Sequence, residues 1–246
     1  YQEWNSALGS ETISGGAGYD TVEVDFNNMR GNWIDFTTGQ TETVEALIVT
    51  NKNPDDWGGT GIKIDASLWS SLQSIDIQGT SRPEEFQRNI RVDIEGQGGD
   101  VNFSAVTAGS YFRLRLTGDY GHIDLATNPA SYGQISDGYQ PNFWDVGVEV
   151  AGNFDSLSLS DSADFVRITA SSEYVLVMGS GDDYIFHSAN ARVRAVIEGG
   201  EGYDTFDVSN LSFVDLTESS FDSVENIKYG SATVVVTAEQ QSTLSL

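Results

Sequence analysis

Gly199-Gly200-Glu201-Gly202-Tyr203-Asp204-Thr205-Phe206 is the stretch on which the fold turns, and Gly15-Gly16-Ala17-Gly18-Tyr19-Asp20-Thr21-Val22 repeats it near the other end of the chain. Both follow the nonapeptide pattern Gly-Gly-x-Gly-x-Asp-x-apolar-x at every specified position. Met178-Gly179-Ser180-Gly181-Asp182-Asp183-Tyr184-Ile185-Phe186 matches it apart from the first glycine. Glycines give such a turn backbone angles closed to other residues and let carbonyl oxygens face inward, while the Asp adds a charged oxygen. The apolar residue that follows points into a core and anchors a strand.

Each complete copy has a second echo downstream. Thr43-Val44-Glu45-Ala46-Leu47-Ile48 follows the first and Ser223-Val224-Glu225-Asn226-Ile227-Lys228 the second, with Ser71-Leu72-Gln73-Ser74-Ile75-Asp76 a looser third. Between them run short alternating segments such as Ile90–Ile94, Tyr111–Leu116, Val146–Val150, Tyr174–Val177 and Val193–Ile197, most of them ended by Gly, Asp, Ser or Asn. Helical periodicity is nearly absent, so these read as strands. Recurrent short strands between Gly-Asp turns predict an all-β right-handed parallel β-solenoid, a β-helix or β-roll, in which each coil buries its apolar face by stacking on its neighbours. Irregular excursions are expected over 51–61, 79–88 and 127–142, each holding proline. An antiparallel sandwich is the alternative, and the scarcity of Asn-Gly or Asp-Gly pairs between matched strands argues against it. No compositional shift marks a linker, so residues 1–246 read as one domain. The opening Tyr1-Gln2-Glu3-Trp4 reads as the start of a fragment or a mature product.

The chain carries 37 acidic against 12 basic residues, a formal net charge of −25, which repels nucleic acid and anionic membrane surfaces. Multivalent cations would relieve that repulsion. There is no cysteine, which removes disulfides and thiolate metal sites. No apolar run approaches the ~20 residues of a membrane span.

A hard cation wants roughly six to eight oxygen ligands, and calcium tolerates the irregular geometry that glycine turns offer. One turn cannot fill that shell, so an ion is expected between turns stacked ~4.8 Å apart. Asp183 and Asp204 lie 21 positions apart, close to one coil, with the strand Val193–Ile197 between them. The turn at Asp20 has a less regular partner in Leu8-Gly9-Ser10-Glu11-Thr12-Ile13. An isolated turn of this type is more simply a tight turn without metal; three with this spacing favour calcium.

The succession Met178–Asp183, a strand, Gly199–Asp204 and Val224-Glu225-Asn226-Ile227 resembles the RTX proteins, secreted bacterial toxins, proteases, adhesins and surface-layer proteins. It is closest to the surface-layer proteins and large adhesins. The resemblance implies turns that bind calcium, folding promoted by calcium outside the cell, type I secretion and a place on the cell surface. It further implies calcium residues Gly179, Gly181, Asp183, Gly200, Gly202 and Asp204, with Gly16, Gly18 and Asp20 as a second set. It covers about a third of the chain well. Residues from 50 to 170 lack clean nonapeptides, and Glu95-Gly96-Gln97-Gly98-Gly99-Asp100 is only a weak one.

Catalytic material is thin. His122 and His187 lie far apart and read as surface or packing residues, and acidic pairs are too common to mark a glycosidase dyad. Calcium-dependent polysaccharide lyases use β-helices and a basic residue; Arg88, Arg91, Arg113 and Arg115 fit that type, but their alternating positions also suit strand arginines paired with acids. Tyr132, Tyr139, Phe143 and Trp144 form the best candidate contact patch for a sugar. The sequence therefore points first to a non-enzymatic structural or adhesive module assembling with like modules. A carbohydrate-binding module and a β-helix lyase are the alternatives, and a viral tail or spike module is also conceivable.

Overall fold

Alternation of apolar and polar residues produces strands that bury one face and wet the other, and this chain stacks such strands almost wholly in parallel. In the computed structural model the described residues are 5–7, 12–26, 33–37, 40–51, 60–79, 81–82, 87–88, 90–107, 112–126, 147–170, 173–189 and 192–243. They form β1 (Asn5–Ala7), β2 (Thr12–Ser14), β3 (Thr21–Asp25), β4 (Trp33–Asp35), β5 (Gln40–Glu42), β6 (Ala46–Asn51), β7 (Thr60–Asp65), α1 (Ala66–Ser71), β8 (Ser74–Gly79), β9 (Ser81–Arg82), β10 (Gln87–Arg88), β11 (Ile90–Asn102) and β12 (Arg113–Asp124). Then follow β13 (Val148–Val150), β14 (Asn153–Ser158), β15 (Phe165–Ile168), β16 (Glu173–Val177), β17 (Tyr184–His187), β18 (Arg194–Glu198), β19 (Thr205–Asp207), β20 (Phe213–Asp215), β21 (Ser220–Asp222), β22 (Asn226–Lys228), β23 (Thr233–Val235) and α2 (Ala238–Thr243).

The main sheet has 14 strands in the order β1-β4-β7-β11-β12-β13-β15-β17-β19-β22, and a branch β14-β16-β18-β21 leaves it at β12. Smaller sheets are β3-β6-β8, β2-β5 and β20-β23. Among the described residues only β9 and β10 pair antiparallel, within the expected excursion at 79–88. The antiparallel sandwich is thereby set aside, and the fold is all-β and parallel.

Register builds columns of like side chains across tiers. Ile62, Val92, Leu114, Val148, Val166, Ile185, Phe206 and Ile227 follow one another strand to strand. All eight are buried, as are Ile123, Leu157, Leu176 and Ile197 along the branch. Each such side chain contributes roughly 1.5–3 kcal/mol on burial, so these columns dominate stability. On the outer face of the same strands runs Asp35–Lys63–Asp93–Arg115–Glu149–Arg167, alternating in sign at every step. The six are half-buried, and pairs near the surface of this kind contribute about 0–1 kcal/mol each. Their larger effect is on register, since a slip by one residue would set the row against apolar neighbours.

Where β11 and β12 bend, side chains cannot fit. A Cβ on Gly118 would stand 1.7 Å from the carbonyl oxygen of Gly96, and one on Gly152 would stand 1.5 Å from that of Gly118. The weak motif at Glu95–Asp100 is thus part of a strand and its bend, not a Gly-Asp turn. The two short helices were not legible in the periodicity. Helix α1 is started by Asp65, whose side chain accepts from Ser67 N, and is held by Trp69, 1% exposed, whose Nε1 donates to Asn102 O.

The two ends of the chain are built alike, well beyond the sequence echoes. β2 pairs β5 with Ile13 beside Thr41, as β18 pairs β21 with Ile197 beside Phe221. Thr37 N and Oγ1 donate to Asp35 Oδ1, and Thr217 N and Oγ1 donate to Asp215 Oδ1. β4 lies on β7 with Ile34 opposite Ile62, and β20 on β23 with Val214 opposite Val234. A short helix follows in both places.

Candidate functional site

The Gly-Asp turns stack as the spacing predicts. Gly179 and Gly181 have φ of 91° and 121°, Gly200 and Gly202 of 94° and 138°, and Gly16 and Gly18 of 90° and 137°. That region of backbone space is closed to most side chains. Closeness adds a second demand: a Cβ on Gly200 would lie 1.9 Å from Gly179 O, and one on Gly202 1.9 Å from Gly181 O. The turns are joined by Gly181 N donating to Glu201 O at 2.7 Å and Glu201 N to Gly179 O at 3.0 Å. Tyr203 N donates to Asp182 Oδ1 at 2.8 Å, adding a side-chain tie.

Inside the stack the acids form a ladder. Asp164 N donates to Asp183 Oδ1 at 2.7 Å, Asp183 N to Asp204 Oδ1 at 2.9 Å, and Asp204 N to Glu225 Oε2 at 2.8 Å. Each carboxylate therefore holds the backbone of the acid one tier before it. Asp183 and Asp204 are 1% and 0% exposed, and the Oδ2 atom of each is buried without a hydrogen-bond partner among the described residues. Burial first, and then the charges of Asp164, Asp204 and Asp182, push the Asp183 carboxyl up to about 9 against the pull of its bond to Asp164 N. Asp204 is pushed up to about 6 by burial, with Glu225 and Asp182 adding to it. The shared cause is negative charge gathered where water cannot reach.

Sequence reasoning missed one member. Ser160-Asp161-Ser162-Ala163-Asp164 occupies the tier before Gly179–Asp183: a Cβ on Gly179 would lie 2.6 Å from Ser160 O, and Asp164 Oδ2 accepts from Ser160 N and Oγ. It has no glycine, and its only signals are the 19-residue spacing from Asp164 to Asp183 and the strand that follows it.

Gly16, Gly18 and Asp20 sit apart from that stack, at the other end of the strand succession. Their setting repeats the C-terminal one. Asp20 N donates to Glu45 Oε2 at 2.8 Å, and Asp20 Oδ2 is buried without a hydrogen-bond partner among the described residues. Thr43 and Ser223, at φ 55° and 53°, make the same closing turn over Gly15 and Gly199, and Thr43 Oγ1 also accepts from Gly16 N. The preceding turn expected at Leu8–Ile13 lies outside the described residues over 8–11, and its Thr12 and Ile13 belong to β2, which leads into the Asp20 turn.

These atoms suit a hard cation in kind: buried carboxylate oxygens in adjacent tiers, beside glycine turns rich in carbonyls. Among the described residues no three His, Asp or Glu side chains converge as a complete ligand set, so backbone oxygens would have to supply most of the shell. The other candidates fall elsewhere. His122 Nδ1 is 2.6 Å from Ser156 Oγ, and His187 is buried beside Tyr174, whose hydroxyl meets its Nδ1 at 3.0 Å. Arg91 is bidentate to Asp93, and Arg115 lies 3.9 Å from Glu149, as strand arginines paired with acids would. Tyr132, Tyr139, Phe143 and Trp144 lie outside the described residues. Set against protein-family models, curated proteins and solved structures, the chain matches none.

Proposed function

We propose that this chain is an extracellular calcium-binding structural or adhesive module of the RTX type, a right-handed parallel β-solenoid that folds and associates with like modules in calcium. The supporting observation is the pair of buried carboxylates, Asp183 and Asp204, stacked one tier apart with an oxygen each that has no hydrogen-bond partner among the described residues. Calcium, when bound, supplies the positive charge that this stack lacks. Asp183 and Asp204 would hold it with carbonyl oxygens from the turns of Gly179, Gly181, Gly200 and Gly202, and Asp20 with Gly16 and Gly18 forms the second set. The chain's own part is to fix the turns: Oδ1 of each Asp holds the neighbouring backbone in place and leaves Oδ2 for the ion.

Placement outside the cell, after type I secretion, follows from the resemblance. A role in association suits a chain of net charge −25, whose copies repel until divalent ions lie between them.

Calcium titration of single and double variants tests the site. Asp183→Ala and Asp204→Ala should each weaken the same ion, and the double variant should lose little more than the worse single, because shared ligands are not additive. Losses that simply sum, with the full number of ions still bound, would show that the turns share none.

A further inference from the structure

We infer that the chain stacks head to tail on a second copy of itself, with the outer edges of β22, β21 and β23 in one copy receiving β3, β2 and β1 of the next as parallel strands. The inference rests on the association reading above but not on calcium binding.

Its ground is the internal duplication, because residues fully buried inside the stack have equivalents that are only half-buried at the ends. Ile197 and Phe206 are each 0% exposed beneath β16 and β17, whereas their counterparts Ile13 and Val22 are half-buried. Ile62 and Ile64 are 0% and 1% exposed beneath β11, whereas Val234 and Val236 are half-buried. Among the described residues no strand pairs with the outer side of β1, β2 or β3, nor with that of β21, β22 or β23. Among the described residues the strand edges at both ends therefore lie open to a further parallel strand, with Ile13, Val22, Phe221, Val234 and Val236 half-buried there and Ile227 already buried.

A second copy fits both edges at once. Continuing the register, Ile13 of the next copy falls over Phe221 and Val22 over Ile227, which extends two apolar columns. On the outer face Asp207 is followed by Lys228, 3.1 Å away, and the next position is taken by Glu23, the counterpart of Asp207, so the sign alternates once more. Helix α2 is no obstacle, since α1 in the equivalent place lets β11 lie on β7. One operation that repeats without closing gives a filament.

The test is sedimentation velocity and negative-stain microscopy of the purified chain in calcium over a range of concentrations. Linear oligomers should grow with concentration. Thr205 N donates to Asp183 O in the tier before it at 2.8 Å, so the N–H of its counterpart Thr21 faces the outer edge of β3, on which no described strand lies, and Thr21→Pro should abolish growth. Glu23→Lys should weaken association about tenfold or more and Glu23→Gln less, both leaving the Lys228–Asp207 pair intact. This second pair decides the matter if Thr21→Pro does not fold. A wild-type chain that stays monomeric at every concentration, or oligomers indifferent to these changes, would overturn the inference. Calorimetry of calcium binding on a monomeric variant reads the ion site separately, so the failure of one reading is not the failure of the other.

Discussion

The backbone N–H of Asp183 donates to Oδ1 of Asp204 at 2.9 Å, so the carboxylate of a later turn sets the height of the turn before it. Asp164 with Asp183, Asp204 with Glu225 and Asp20 with Glu45 repeat the relation. Under the proposed calcium site Asp183, Asp204 and Asp20 have two separable roles, Oδ1 for the backbone and Oδ2 for the ion.

The first role has a measurable cost of removal. Asp204→Ala leaves the buried N–H of Asp183 without its acceptor and should destabilise the chain by about 1–3 kcal/mol in chelator. Asp204→Asn keeps an acceptor oxygen and should cost less than about 1 kcal/mol there. Urea unfolding of the three proteins in chelator checks the order, and equal losses for Ala and Asn would contradict it.

The second role predicts opposite pH responses with and without calcium. Both carboxyls are raised in the folded state, to about 9 for Asp183 and about 6 for Asp204, so metal-free folding favours the neutral acids. Their contribution is intact below the unfolded value near 4 and is lost as pH rises through about 6 and then about 9. The metal-free protein should therefore lose stability between pH 5 and pH 9 on account of these groups. Calcium requires the ionised form, so its stabilising effect should grow over the same range, with proton release on binding. Melting curves with and without calcium across that range read both slopes.

The bend at Gly152 and the turn at Gly200 should tolerate no side chain. Gly152→Ala drives a Cβ to 1.5 Å from Gly118 O, and Gly200→Ala combines a contact of 1.9 Å with a φ of 94°. Each should cost roughly 3 kcal/mol or more by forcing tiers apart. Gly99→Ala meets nothing within 4 Å and should stay within about 0.5 kcal/mol. Chemical denaturation of the three variants tells crowding from a general loss of glycine.

Strand segments and the main turns were legible because both are written locally, in two-residue alternation and in glycines that permit positive φ. Asp183 and Asp204 stack as their spacing implied, for the same reason. The turn Ser160–Asp164 was not legible: Ser160 and Ser162 stand where Gly179 and Gly181 stand one tier later, and only the tier contact reveals the equivalence. The motif at Glu95–Asp100 failed the other way, because Gly96 makes room for Ala66 at the start of α1, 2.7 Å from where its Cβ would stand, and does not serve a turn. Helix α1, six residues long, is held by the burial of Trp69, a tertiary contact with no periodic trace in so short a segment. The echo at Thr43–Glu45 and Ser223–Glu225 was visible, but its role in closing the turn came only from the positive φ and the two Glu-to-backbone bonds.

The measurement that bears most directly on the account is the thermal unfolding of the whole chain in calcium, in magnesium and in chelator at neutral pH. Binding to the folded state adds RT ln(1 + [L]/Kd), about 2.7 kcal/mol at a hundredfold excess over Kd. In a chain of this length that is a rise of roughly 5–10 °C in Tm. Calcium should give that rise, magnesium little of it, and Asp183→Ala with Asp204→Ala should remove most of it. Superimposable curves in calcium and in chelator would contradict the calcium site at the Gly-Asp turns.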